Sequence, residues 1–348
     1  MNKRKKTLGY ADLNVFCEQI ALVLKAGISV YEGICILQEE ASSALERELY
    51  KGIATSMDEG VSFPDALEES EAFPSYMTHM ISIGELSGRL DTVLDQLAIY
   101  YKREQAMKDA IRHAVAYPMV MMVMMGIVIA VLVAKVLPIF QSVFKELGSE
   151  LTGFSKTVMD MGTALSNSLG VILIVIVLVF VAAFLASRTE VGAKQFQLFK
   201  TKFFLTRKLT HKIAVSRFAA GMSLMLASGL DTDQSLEMVL PLLDSDEITQ
   251  KVEAIREQIA GGQNFAEAVS EQQIFSQTYN RMLGIGYRTG STDEVIENIS
   301  KRYESEIETM LSNLIAIIEP SLVAVLSIVV GMILLAVMLP LMSIMSVI

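Results

Sequence analysis

Along the first hundred residues the apolar positions fall on helical faces separated by short polar breaks. Leu13, Phe16, Cys17, Ile20, Val23 and Leu24 recur at three and four residues, the stripe of an amphipathic helix that Gly27 can end. Helical stretches follow around Val30 to Ala41 and from about Leu45 to Asp58. Gly60 breaks the chain, and Ser62 suits the N-cap of a short helix carrying Phe63, Ala66 and Leu67. Pro74 opens a further helix that stops in "GELSGRLD", Gly84 to Asp91, after which Val93, Leu94, Leu97, Tyr101, Met107 and Ile111 keep helical spacing. The pattern predicts a bundle of about six helices. From Arg89 to Tyr117 there is neither Gly nor Pro, so the last helix is expected to run from Leu90 to Leu137, about 70 Å, with Pro118 only kinking it.

What it runs into is apolar. Pro118 to Pro138 carries one charge, Lys135; Leu169 to Ser187 carries none; Ser321 to Leu339 lies between Pro320 and Pro340. At roughly 1.5 Å per residue each run matches a hydrocarbon core of about 30 Å. The first and third runs are echoes, because adding 202 to Pro118 and Pro138 gives Pro320 and Pro340. The same shift carries Phe16 to Phe218, Gly60 to Gly262, Phe63 to Phe265, Gly84 to Gly286, Gly88 to Gly290, Asp91 to Asp293, Tyr101 to Tyr303 and Glu104 to Glu306. The chain is a duplicated unit, a helical bundle followed by one span. Two copies in one orientation need a return crossing between them, and Leu169 to Ser187 supplies it.

Charge orients this arrangement. Arg188, Lys194, Lys200, Lys202, Arg207, Lys208 and Lys212 follow the second run, while only Lys145 and Lys156 lie between the first two. The positive-inside rule puts both bundles in the cytoplasm and the C-terminus outside. The expectation is an all-α, multi-pass protein of the cell membrane with two homologous cytoplasmic bundles and three transmembrane helices. Its order is a basic tail (1–9), bundle (10–116), span (117–138), extracytoplasmic segment (139–168), return span (169–187), basic linker (188–212), bundle (213–316), span (317–341) and extracytoplasmic end (342–348). In the outer segment, Ile139, Phe140, Val143, Phe144 and Leu147 share one helical face, suited to the membrane interface or to a partner.

The 348 residues are 52% hydrophobic, with mean hydropathy +0.45, which excludes a purely soluble globular protein. Net charge of −10 speaks against a nucleic-acid partner, and the phenylalanines interleaved with lysines after the second run read as a lipid-facing stretch. Cys17 and Cys35 make neither a disulfide framework nor a metal site, and both are expected to pack as small hydrophobes. His79, His113 and His211 lack ligand spacing, and no phosphate loop, zincin or nucleophile motif occurs. "GIGYRTG", Gly284 to Gly290, follows a helix and reads as a helix terminus, not a dinucleotide loop. No enzyme and no cofactor are expected.

Candidate contacts are therefore charges at special places. Lys135 lies where its stem can snorkel outward or where an intramembrane charge can act. Glu319, the counterpart of Tyr117 at the inner end of the last span, can touch another span or face water. The first elbow reads either as a helix stop and restart or as an exposed turn offered to a partner. Gly84, Gly88 and Asp91 recur in the second copy as Gly286, Gly290 and Asp293 and look structural. Glu85 and Arg89, which become Tyr287 and Ser291, do not recur, so Glu85, Arg89, Tyr287 and Arg288 are the partner-contact candidates.

With twin bundles, "FCEQIALVLKAGISVYEGI", "GELSGRLDTVL", "AYP" opening the first span, "VLPIFQSVFKELGSEL" leaving it and "IEPSLV" opening the last, the sequence resembles the PilC/GspF family. These are the inner-membrane platform proteins of type IV pilus and type II secretion machines. The likeness covers nearly the whole chain from about residue 10, although "GYRTGSTDEV" departs from the Gly-Glu-x-x-Gly form of the family's elbow. It implies a non-enzymatic homo-oligomer that touches a hexameric cytoplasmic ATPase, other inner-membrane components, lipids, and pilin or pseudopilin subunits. A membrane-bound scaffold or signalling protein, or a small transporter, are the alternatives; the spans lack the midplane polar groups and broken helices that a transporter needs.

Overall fold

The computed structural model describes residues 7–136, 138–139, 142–143 and 204–345. The return span (169–187) and most of the outer segment and basic linker lie outside the described residues. Regular structure among the described residues is entirely helical. The first copy is α1 (Tyr10–Lys25), α2 (Val30–Glu40), α3 (Ala44–Asp58), α4 (Phe63–Glu69), α5 (Ser75–Leu86) and α6 (Leu90–Val131). The second is α7 (Phe204–Ala227), α8 (Thr232–Val239) with a 3₁₀ turn at Leu240–Leu242, α9 (Asp246–Ala260), α10 (Phe265–Glu271), α11 (Gln277–Thr289) and α12 (Thr292–Met345). From α3 to α6 every start recurs 202 positions later, so the duplication is structural as well as sequential.

Local chemistry sets these boundaries. Ser62 caps α4 by accepting from the Asp65 amide, and Ser43 and Glu46 form a reciprocal capping box on α3. Pro74 stands at the N-cap of α5, where no amide hydrogen is needed. α5 and α11 end in left-handed residues, Gly88 at φ 68° and Gly290 at φ 76°, a conformation that a side chain would resist.

The chain divides into two compact units. The first comprises Met1–Asp109 and Lys208–Ile307, and thus both helical bundles. Its core is assembled twice from equivalent residues. Phe16 lies 6.5 Å from Phe63 and 4.8 Å from Phe73 between ring centroids, and Phe218 lies 5.7 Å from Phe275. Tyr303 lies 6.0 Å from Phe275, and both it and its counterpart Tyr101 are buried. Cys17 is fully buried and Cys35 half-buried, both as free thiols. In each copy the fifth helix closes on the sixth through a glycine. A methyl group at Gly84 would stand 2.9 Å from Val93 Cγ2, and one at Gly286 2.6 Å from Val295 Cγ2.

The second unit comprises Ala110–Arg207 and Glu308–Ile348. It includes the C-terminal portions of α6 and of α12, helices long and apolar enough to cross a membrane. Large apolar side chains such as Val120, Ile127, Ile328 and Leu334 are exposed along them, as lipid-facing residues would be. Pro118 lies within α6 without ending it. The helix is not α-helical to Leu137, however; it passes into a π-helical turn at Leu132–Val136. Pro138 has no N–H for the carbonyl four residues earlier, which removes an α-helical bond at that point. α12 continues through Pro320 and Pro340 to Met345.

Gly84→Val and Gly286→Val should each lower the stability of the full-length protein in detergent by about 1–3 kcal/mol. Gly52→Ala, in a helix with open space around it, should be neutral or stabilise by up to about 1 kcal/mol. Thermal unfolding followed by circular dichroism checks both.

Candidate functional site

The elbow that joins α5 to α6 lies against the second copy. Arg89 extends from it to Gly229, where a Cβ would stand 2.5 Å from its Nη1. Gly229 has φ 90°, so backbone and packing both favour glycine there. Beside this contact Ile83 and Leu86 of α5 and Ser87 at its C-cap face Leu230, Gln234 and Met238 across a groove of about 470 Å³. Glu85, in the last turn of α5, is exposed, and Asp91 opens α6 in its first turn. The second elbow is arranged differently. Tyr287 and Arg288 are both exposed, and Arg288 Nε donates to the Gly284 carbonyl at 3.1 Å. Asp293, in the first turn of α12, is exposed as well.

Below the first elbow lies an ion cluster that hydropathy patterning missed. Arg217 of α7 bonds Glu104 of α6 at 3.3 Å and also bonds Asp244. Burial pushes the Glu104 carboxyl above its usual range, with Arg217 drawing it back. Burial also works against the Arg217 charge, but Glu104 and Asp244 outweigh it and hold the guanidinium protonated. Nearby Arg103 donates to Glu297 of α12 at 3.3 Å. The counterpart of Glu104 has other partners. Glu306 bonds Lys212 and accepts from Tyr279 Oη at 2.6 Å. Burial alone would raise its pKa, and these bonds together bring it below the carboxylate norm. The legible signal was a glutamate three residues after a core tyrosine in both copies, Tyr101 with Glu104 and Tyr303 with Glu306. Nothing marked Arg217, whose counterpart is Val15.

In the second unit Tyr117 Oη donates to Glu319 Oε1 at 3.2 Å, a bond between residues 202 apart and therefore between equivalent positions. The two helices meet in register at this level. Lys135 is exposed in the π turn. Among the described residues no group of three or more His, Cys, Asp or Glu side chains could hold a metal ion.

The profile of the family described as type II secretion system (T2SS), protein F, matches residues 16–138 and again 218–340. The chain belongs to this protein F family. Its two matches begin and end 202 positions apart, so each copy of the fold is one family repeat. Among relatives, the type IV pilus assembly protein PilC of Thermus thermophilus is 28% identical over 341 residues, covering 97% of this chain and 83% of that protein. PilC of Pseudomonas aeruginosa is 28% identical over 334 residues, covering 94% and 88%. The type II secretion system protein F of Vibrio cholerae is 21% identical over 344 residues, covering 98% and 84%. With its two apolar helices, this member of the protein F family is a membrane protein.

Arg217→Ala should cost about 3 kcal/mol, because it leaves Glu104 buried without its cation, whereas Lys212→Ala, beside the better hydrated Glu306, should cost less than about 1 kcal/mol. Thermal unfolding of the full-length protein separates the two. With Tyr117→Cys and Glu319→Cys in one chain, a short bis-maleimide should give an intramolecular adduct that migrates faster on denaturing gels; neither single variant should.

Proposed function

We propose that this protein is the inner-membrane assembly platform of a type IV pilus or type II secretion machine. It couples a hexameric cytoplasmic ATPase to the extraction of pilin or pseudopilin subunits from the bilayer and their addition to a filament. Family membership and the relatives named for pilus assembly and secretion support the machine assignment. The observation that carries the coupling is the continuity of α6 and α12. Each begins as the last helix of a bundle and continues as one helix, through Pro118 in α6 and through Pro320 and Pro340 in α12, into an apolar stretch long enough to span. A helix bends little over such lengths, about 63 Å for the 42 residues of α6 and about 81 Å for the 54 of α12, so displacement at one end is felt at the other.

In this reading the bundles are cytoplasmic, the chain crosses three times, and the C-terminus is outside, as the lysines and arginines after Ser187 favour. The ATPase engages the first elbow at the exposed Glu85, while Arg89 is engaged with Gly229 of its own chain; Tyr287 and Arg288 of the second elbow are exposed for a different partner. Pilin subunits and lipids meet the exposed apolar faces of α6 and α12. The protein does no covalent chemistry.

The boundary between the two compact units falls within α6, between Asp109 and Ala110. Three glycines inserted there should abolish filament assembly while leaving protein level and ATPase co-purification intact. Normal assembly by that variant would overturn the coupling.

A further inference from the structure

The two bundles meet by unlike faces. The first contributes its elbow and the Tyr100 and Glu104 face of α6; the second contributes α7 and α8. Such a contact is not reciprocated, and the sister residues show it. On α7, Ala220 and Leu224 are buried, Leu224 at 3% exposure. Their counterparts on α1, Glu18 and Leu22, are exposed, Leu22 at 68%, and Val15 beside them at 49%. A Cβ at Gly229 would meet Arg89, whereas one at Gly27 would meet nothing within 4 Å. The outer stripe of α1, Ala11, Val15, Glu18 and Leu22, is therefore an apolar-centred face whose sister is a packed interface. The complementary face is equally open on the second bundle, where Ile285 stands 56% exposed and Arg288 and Arg302 are exposed.

We propose that the α1–α2 face of one copy receives the α11 elbow of a second copy, repeating between chains the contact that joins the two bundles within one. A heterologous contact of this kind always leaves one donor face and one acceptor face unused, and a second copy presents the matching pair. The charges agree. Transferring the internal contact by the repeat puts Arg288 in the place of Leu86 and Glu32 in the place of Gln234, which line one groove, so an arginine comes to a glutamate. Ile285 likewise takes the place of Ile83 and meets Ile28 and Ile36, which take the places of Leu230 and Met238. This surface is independent of ATPase coupling, and its test reads no filament.

Two full-length copies with different tags are co-expressed in membranes, one carrying Glu32→Cys and the other Arg288→Cys, both with Cys35→Ser; Cys17 is buried. A short bis-maleimide should give a two-chain adduct bearing both tags and absent when either substitution is omitted. Leu22→Arg, added to the copy with Glu32→Cys, should lower the adduct yield roughly tenfold, the weight of one leucine contact at an interface. Should Leu22→Arg fail to fold, a charge exchange replaces it. Association of the tagged copies, read by co-purification, should fall with Glu32→Arg alone and return when the other copy carries Arg288→Glu. Absence of a mixed adduct overturns the proposal. So does a Glu32-to-Glu32 adduct, which marks a two-fold contact. So does an adduct confined to one chain when both substitutions share a copy, which means the chain covers its own face.

Discussion

A guanidinium taken out of water must find carboxylates, and in this protein it finds them on two different parts of the chain. Arg217 rises from α7 of the second bundle; Glu104 lies on the long helix of the first, and Asp244 follows the 3₁₀ turn after α8. Apolar surfaces can slide over one another at little cost, but a half-buried ion triad is satisfied in one arrangement only. The triad therefore fixes which faces of the two bundles meet, where the apolar contacts of the elbow groove alone would leave the register loose. Glu104 is five residues before the point at which α6 leaves the first compact unit.

Helix positions, the repeat and the first and third apolar runs were legible because they depend on short-range spacing, and the duplication supplied a second reading of each. Ser62 as a cap, Pro74 as an entry and Gly290 as an exit follow from chemistry within four residues. What sequence could not carry was the pairing of unlike faces. Amphipathic patterning assigns a helix one buried side, and α1 obeys it; α7 is buried nearly all round, and its arginine reads as solvent-facing until a glutamate 113 residues earlier in the chain is placed beside it. The same limit hid the destination of Arg89, which is exposed like Glu85 but also reaches Gly229 of the second bundle. The π turn before Pro138 was missed for another reason. Periodicity shows where a helix runs, not how tightly it is wound.

The hydrogen bond from Tyr117 to Glu319 carries the duplication into the second unit. Parallel helices of one origin meet there at equivalent heights, with the polar pair at the end of each apolar run, where a carboxyl group and a phenol can stay in contact with water or headgroups.

Gly27 and Gly229 give this chain an internal reference that few proteins offer. Both sit at positive φ after equivalent helices, but only Gly229 has an arginine pressed against it. An alanine at either site meets the same backbone penalty, so subtracting the loss at one from the loss at the other cancels the conformational cost and leaves the steric price of Arg89 alone. A duplicated fold with unequal neighbours thus separates, within one molecule, two energies that a single substitution always reports together.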